Sequence, residues 1–448
     1  MRCNTIKSEI NITSDTAITI VDSIMGSGKT SAMINQLNRN CEKNYIYITP
    51  FLSEVERIIN KTNFDFKQPE NHGKGKLDGL HYLLASGENI VSTHALFLKA
   101  TQETIQLIYE GGYTLILDEA LDVLHDYNSI VKEFGNKTIT KDDVGWLIQE
   151  KHITVDENYN VYWNSSTNEN FHYSEIQRLA ENHSLRCVDN ILLWEFPYEI
   201  FKAFSSIYVL TYQFSNSMLD AFMLMNGLKY QKVSAHKFNN SFQLCDYNDD
   251  FESRNSYAEL INIYEGNLNK IGDKTNAFSV SWLTGCGEKQ NQRTNDIKKA
   301  IRNYKNHIKA STSEIMWTTA KKDNFHEKIE SVKGFKYIHK LTSEEKSLPE
   351  NEFNKLKCFV PCNSRATNNF SDRTTLLYLL NRYVQPEYAK YFSKRGYPID
   401  NDQFALNEML QWIWRSAIRN GEKINIYIPS SRMRNLLYNW LGKNTPCT

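Results

Sequence analysis

Apolar positions along the chain gather in short β-branched runs, and the stretches between those runs are amphipathic at helical spacing. Ala17-Ile18-Thr19-Ile20-Val21 predicts a strand, and Ser31 to Leu37 a helix behind it. The alternation repeats with Asn44-Tyr45-Ile46-Tyr47-Ile48-Thr49-Pro50, the helical stretch Ser53 to Ile59, and Asn89-Ile90-Val91-Ser92-Thr93-His94. Tyr113-Thr114-Leu115-Ile116-Leu117 and Ile207-Tyr208-Val209-Leu210-Thr211-Tyr212-Gln213-Phe214 supply two more strands. Runs that are apolar without alternation are buried on both faces, as in a parallel sheet covered by helices. The Leu210-Thr211 strand is expected beside the strand that ends at Asp118.

Two places break the rhythm. Residues 126–195 are polar and Asn-rich, and within them Lys151 to Trp163 reads as two β-like runs around Asp156-Glu157-Asn158. A hairpin is expected there, inside an insertion that is either a solvated lid without function or a strand-separating or substrate-contacting element. After Tyr230 the chain turns polar again, which places a domain boundary at 235/236. A second series follows: strands at Ala277 to Trp282, Ser313 to Thr319 and Lys423 to Ile428, with helices at Asn291 to Lys305, Asp323 to Val332, Asn407 to Ile418 and Met433 to Leu441. The expected organisation is an α/β first domain over 1–235 and a second over 236–448.

Composition narrows the class. The 448 residues carry 52 basic against 52 acidic side chains, so nucleic acid would have to be met by a local groove rather than by bulk attraction. No apolar run approaches the ~20 residues of a membrane span, and no basic-then-apolar leader opens the chain, which predicts a soluble cytoplasmic protein without membrane partners. The eight cysteines are scattered; Cys358 and Cys362 stand close but no second pair accompanies them, so reduced structural thiols are expected rather than a metal cluster.

Candidate chemistry lies where strands meet helices. Ser23-Ile24-Met25-Gly26-Ser27-Gly28-Lys29-Thr30 joins the first strand to its helix. Gly26 and Gly28 let the backbone approach a phosphate, and the N–H groups of the loop and the helix start point at it. Lys29 is placed for the β/γ-phosphates and Thr30 for Mg²⁺. The general pattern has glycine where this chain has Ser23. At the end of the Leu115 strand, Asp118-Glu119 offers one carboxylate for the metal and a second to orient or activate water. Gln411, Arg415 and Arg419 stand at i, i+4 and i+8, one face of the helix expected over 407–418. Planar guanidinium forks on such a face suit the charge that develops on a transferring phosphoryl group.

In this order, Ser23-x-x-Gly-x-Gly-Lys-Thr, Thr49-Pro50, Ser92-Thr93-His94, Asp118-Glu119-Ala120-Leu121, Leu210-Thr211, Arg365-Ala366-Thr367-Asn368 and Gln411-x-x-x-Arg415 resemble the motifs of superfamily-two helicases. The likeness is to DEAD/DEAH-box-related helicases of bacteriophages and mobile elements, and it spans nearly the whole chain. Two departures stand out. Trp414 replaces the glycine before the first arginine and Arg419 lies four residues on rather than three; Leu121 fits neither a DEAD nor a DEAH box.

The resemblance implies two tandem RecA-like domains that share ATP and Mg²⁺ at their interface. Ser23, Gly26, Ser27, Gly28, Lys29 and Thr30 would hold the nucleotide, Thr30 and Asp118 the metal. Glu119, Asp118, Gln411, Arg415 and Arg419 would carry hydrolysis. Thr49, Pro50, Thr93, Arg365 and Thr367 would contact a nucleic-acid strand, single-stranded or forked DNA ahead of RNA. Replication or recombination proteins are the implied partners, and the cytoplasm of a bacterial host the implied location. The expected activity is an ATP-dependent helicase or translocase; the alternative is a nucleic-acid-stimulated ATPase that remodels without unwinding. A packaging terminase would need a carboxylate-rich nuclease domain that the second half lacks. A scaffold without activity has no reason to keep Lys29, Thr30, Asp118 and Glu119.

Overall fold

The computed structural model describes residues 16–39, 44–50, 52–73, 75–133, 138–164, 173–252, 254–363 and 369–443. The chain divides into one unit of residues 1–249 with 385–399, and a second of 250–384 with 400–448.

In the first unit, strands β1 (Ala17–Asp22), β2 (Tyr45–Thr49), β3 (Phe66–Lys67), β4 (Asn89–Thr93) and β5 (Thr114–Asp118) precede the insertion. The insertion contributes β6 (Leu124–Asp126), β7 (Ile153–Val155), β8 (Val161–Trp163), β9 (Leu185–Val188) and β10 (Ile191–Glu195). The main sheet then resumes with β11 (Ser206–Thr211), β12 (Tyr230–Phe238) and β13 (Ser241–Asp246), in the order β13-β12-β1-β11-β5-β2-β4-β3. β12 and β13 pair antiparallel; the other neighbours in this sheet are parallel. β2 and β5 are buried at every position, which is why they read as unbroken apolar runs. β11 lies directly beside β5, as the sequence predicts.

β12 runs unbroken through Ala235, so the boundary expected at 235/236 falls inside a strand. The polar turn at Asn239-Asn240 is the tip of a hairpin, both residues at positive φ, rather than a linker. The chain changes unit only after Asp249.

Within the insertion, β6, β10 and β9 form an antiparallel sheet, and β7 and β8 form the expected hairpin. Asp156 shapes that hairpin: Oδ1 accepts the Asn158 and Asn160 N–H groups, and Oδ2 accepts from Asn160 Nδ2 at 2.7 Å. A segment far along the chain completes this region. Helix Pro386–Lys394 belongs to the first unit, and Tyr391 donates from its hydroxyl to Glu195 Oε2 while Glu195 Oε1 pairs with Arg186 Nη2 at 2.7 Å. Lys390 meets Asp189 at 2.5 Å, and Arg395 donates to Asn158 O and Asn160 Oδ1 at 2.8 and 3.0 Å.

The second unit holds β14 (Ile261–Ile263), β15 (Ile315–Thr318), β16 (Thr375–Tyr378) and β17 (Ile424–Tyr427), all parallel, in the order β14-β17-β16-β15. Helices Glu288–His307, Asn401–Ile413 and Ser431–Trp440 occur near the expected places. Two expectations are corrected. Residues 277–282 form no strand: Phe278 takes φ 64, and Ser279 caps the single turn Val280–Leu283 by accepting the Trp282 N–H. The helix expected over 407–418 ends at Ile413. Trp414 turns its ring edge-on to Tyr257 and Trp440, Ser416 Oγ takes the Ile413 carbonyl, and the Ala417 N–H pairs with Arg373 O at 3.0 Å. Side-chain and distant backbone groups thus satisfy what a further helical turn would have used.

A candidate nucleotide site at the carboxyl edge of the first sheet

Parallel strands deliver their C-terminal ends to one edge, where open α/β sheets bind ligands. The segment 23–30 follows β1 there, Asp118 and Glu119 end β5, Thr49 and Pro50 end β2, Thr93 ends β4, and Thr211 ends β11. Register holds the pieces together: Thr49 lies opposite Thr93, Asp22 opposite Thr211, and Leu210 opposite Asp118.

The loop is tied down on both flanks. The Ser23 N–H donates to Thr211 O at 3.1 Å, and Ser23 Oγ accepts the Ala235 N–H at 2.8 Å, so the residue that replaces glycine fastens the loop to β12. Asp22 accepts the Phe214 N–H and pairs with Lys232 at 3.0 Å. Gly26 and Gly28 take φ 81 and 87. A side chain at 28 would also strike the Phe242 ring, because a Cβ there would lie 2.2 Å from Cδ1. Asn35 holds β13 in that position by donating to Phe242 O at 2.9 Å. Gly28 precedes helix Lys29–Leu37, and Lys29 turns back so that its ammonium donates to Ser23 O at 2.6 Å and Ile24 O at 3.1 Å.

Thr30 Oγ1 reaches Asp118 Oδ2 at 3.1 Å, and Tyr47 OH donates to the same oxygen at 2.9 Å. His94 Nε2 lies 3.0 Å from the Asp118 carbonyl. Burial holds the Asp118 carboxyl above the ordinary carboxylate range, and the hydrogen bonds from Tyr47 and Thr30 pull the other way. Glu119 takes φ 67 and is fixed by its N–H to Leu210 O at 2.9 Å. Such a conformation is uncommon away from glycine and recurs at functional positions.

The donor set fits a nucleotide with Mg²⁺. Ser27 Oγ is buried in the loop and makes no hydrogen bond, a cost that an incoming oxygen would remove. Thr30 and Asp118 present hard oxygen atoms, the ligands Mg²⁺ prefers. Ser23, Gly26, Ser27, Gly28, Lys29, Thr30, Asp118 and Glu119 therefore come together.

The remaining candidates are distributed otherwise. Thr93 and Pro50 are partly exposed at the strand ends, whereas Thr49 is fully buried. In the second unit, Gln411 donates to Asn407 Oδ1 at 3.0 Å, and Arg415 is 4% exposed with Nη1 3.2 Å from Pro361 O and 3.3 Å from Cys362 O. Arg419 is exposed on the 3₁₀ turn Ala417–Asn420. The break after Ile413 puts these three side chains in different settings rather than on one helical face. Arg365 and Thr367 lie outside the described residues. Sequence reasoning missed Tyr47, Phe242 and the Asp22–Lys232 pair. A signal existed for the first: a tyrosine inside an unbroken apolar run must find a partner for its hydroxyl.

Among the described residues no group of His, Cys, Asp and Glu is arranged to hold a metal by itself, and no helix is long and apolar enough to cross a membrane. Cys187, Cys245, Cys286, Cys358 and Cys362 are free thiols.

Comparison with known proteins adds lineage. Residues 255–441 match the YonV C-terminal Rossmann-like domain, and residues 135–194 match the YonV middle domain, inside the insertion. The "SPbeta prophage-derived uncharacterized protein YonV" of Bacillus subtilis (strain 168) is 38% identical over 441 residues, covering 95% of this chain and 98% of that one. Among solved structures, an apo XPD is similar with a TM-score of 0.52 at 11% identity, covering 96% of each chain. XPD4 of S. tokodaii gives 0.51 at 12% identity, covering 96% of this chain and 94% of that one. At those identities the likeness is one of fold: tandem RecA-like domains built on parallel sheets flanked by helices.

Proposed function

Because the chain belongs to the YonV family and carries a phosphate loop against a strand-end Asp-Glu, we propose that it is an ATP-hydrolysing, helicase-type motor acting on nucleic acid. The observation that carries this reading is the Thr30–Asp118 contact at 3.1 Å, which joins a helix start and a strand end 88 residues apart at one sheet edge. Lys29, now held by the Ser23 and Ile24 carbonyls, would exchange them for phosphate oxygens. The N–H groups of Gly26 to Thr30 would surround those oxygens at the helix start. Thr30 and Asp118 would hold Mg²⁺, which when bound neutralises charge on the phosphates. Glu119, its backbone pinned to β11, would orient the attacking water and accept its proton.

Thr93 and Pro50 would meet the backbone of a nucleic-acid strand, single-stranded or forked DNA ahead of RNA, and movement along it is the output we assign to hydrolysis. The prophage relative supports a mobile-element setting, in which replication or recombination is the role we assign.

The test is ATP turnover by purified protein across single-stranded, forked and duplex DNA and RNA. Stimulation by at least one of them is expected, with Lys29→Ala losing nucleotide binding and Glu119→Gln binding ATP without turnover. Unstimulated or absent hydrolysis on every nucleic acid refutes the reading. Strand release from the forked duplex then separates unwinding from stepping alone.

A further inference from the structure

Tyr47 sits midway along β2 with none of its surface exposed, its ring packed in the cluster that holds Val21, Ala32, Met33, Ile116 and Leu210. Its hydroxyl emerges from that apolar packing at Asp118 Oδ2. Burial, and next the charge of Asp118, push the phenol well above its ordinary range, so it stays protonated and donates at every physiological pH. Thr30 Oγ1 approaches the same carboxylate oxygen from the start of the phosphate-loop helix. His94, at the end of β4, fixes the backbone of the same residue through the Asp118 carbonyl. Asp118 is thus gripped from β2, from β4 and from the loop. A carboxylate held this way loses hydrogen bonds on rotation and keeps one orientation before any ligand arrives.

We propose that Tyr47 is a positioning residue for Asp118, presetting this carboxylate for the divalent cation that accompanies a nucleotide at Thr30. The inference rests on the nucleotide reading above and names a residue that no motif in the chain marks. Outer partners of metal-ligating carboxylates act by fixing ligand orientation, and their loss weakens metal affinity while the ligands themselves remain. A tyrosine that only filled the core would behave otherwise: its hydroxyl would matter to folding and not to the metal.

The experiment uses the full chain, a fluorescent non-hydrolysable ATP analogue and a Mg²⁺ titration, on wild type, Tyr47→Phe and Tyr47→Met. Phenylalanine keeps the ring, and methionine fills the space adaptably should the first variant fold poorly. Thermal melts check that each variant is folded. Expected is a Mg²⁺ midpoint raised by about 10- to 100-fold, with analogue affinity in EDTA changed less than about two-fold. In an Asp118→Asn background, Tyr47→Phe should move the midpoint no further, because the carboxylate it positions is gone. An unmoved midpoint in a folded variant, or equal weakening with and without metal, overturns the proposal. Wild type that binds the analogue under neither condition overturns the nucleotide reading and this inference with it. That outcome is distinguishable from a wild type whose Mg²⁺ midpoint the variants leave in place.

Discussion

The surroundings of Asp118 favour its protonated form, because burial raises its pKa more than the hydrogen bonds from Tyr47 and Thr30 lower it. A carboxyl whose folded-state pKa is raised binds its proton more tightly in the folded chain than in the unfolded one. Its contribution to stability is therefore fully present at low pH and is lost as pH rises through the folded pKa. Asp118→Asn keeps an acceptor for Tyr47 and Thr30 and removes the ionisable group. In nucleotide-free protein the variant should melt higher than wild type at pH 8. The gap should close as pH falls toward the ordinary carboxylate range. Melts from pH 4.5 to 8 check this, and a variant less stable than wild type at pH 8 would show that the charge is stabilised. Activity should be lost in the same variant, a trade between stability and function common at active sites. At this scale Lys29, Thr30, Asp118 and Glu119 are legible in the chain because loop chemistry needs those residue types at fixed spacing. Tyr47 is not, because its role depends on which strand lies beside β5, and that is decided by packing rather than by neighbours in sequence.

At the scale of elements, the same contrast separates what the apolar pattern foretells from what it does not. β1, β2, β5 and β11 appear where apolar runs predict them, since burial on both faces leaves a local trace, and β4 follows the shorter Ile90-Val91 core. Residues 277–282 and the end of the helix at Ile413 depart from the apolar pattern because Ser279 and Ser416 compete for backbone groups, a local hydrogen-bonding effect that apolar spacing does not report. The insertion shows a third case. Its polar composition marks it as separate, yet its centre is a buried Arg186–Glu195 pair, 10% and 4% exposed, closed by Tyr391. Arg186 Nη1 also donates to the His183 and Leu185 carbonyls at 2.7 and 3.0 Å. Removing one partner of a buried pair leaves the other charge uncompensated. Glu195→Ala should cost about 3–5 kcal/mol, and Tyr391→Phe about 1 kcal/mol. Denaturant unfolding measures both; equal small losses would show that solvent reaches the pair.

For the whole molecule, chain order and spatial order part company. Residues 385–399 lie by sequence within the stretch that matches the YonV C-terminal domain, yet they pack in the first unit. Nothing in the apolar pattern announces this, because the amphipathic helix Pro386–Lys394 carries no local signal of which sheet it will cover. A fragment of residues 1–249 should therefore be incomplete. Limited proteolysis should cut its insertion faster than in the full chain, and a peptide of residues 385–399 added in excess should slow the cutting. A fragment as resistant as the full chain would show that the helix is dispensable there.

The Tyr391–Glu195 contact also sets a clock. The two residues are 196 positions apart, which at ribosomal speeds of 5–20 residues per second is about 10–40 s of synthesis. For that interval the nascent first unit must wait with its Arg186–Glu195 pair uncovered. Most of the second unit has left the ribosome before the first can close.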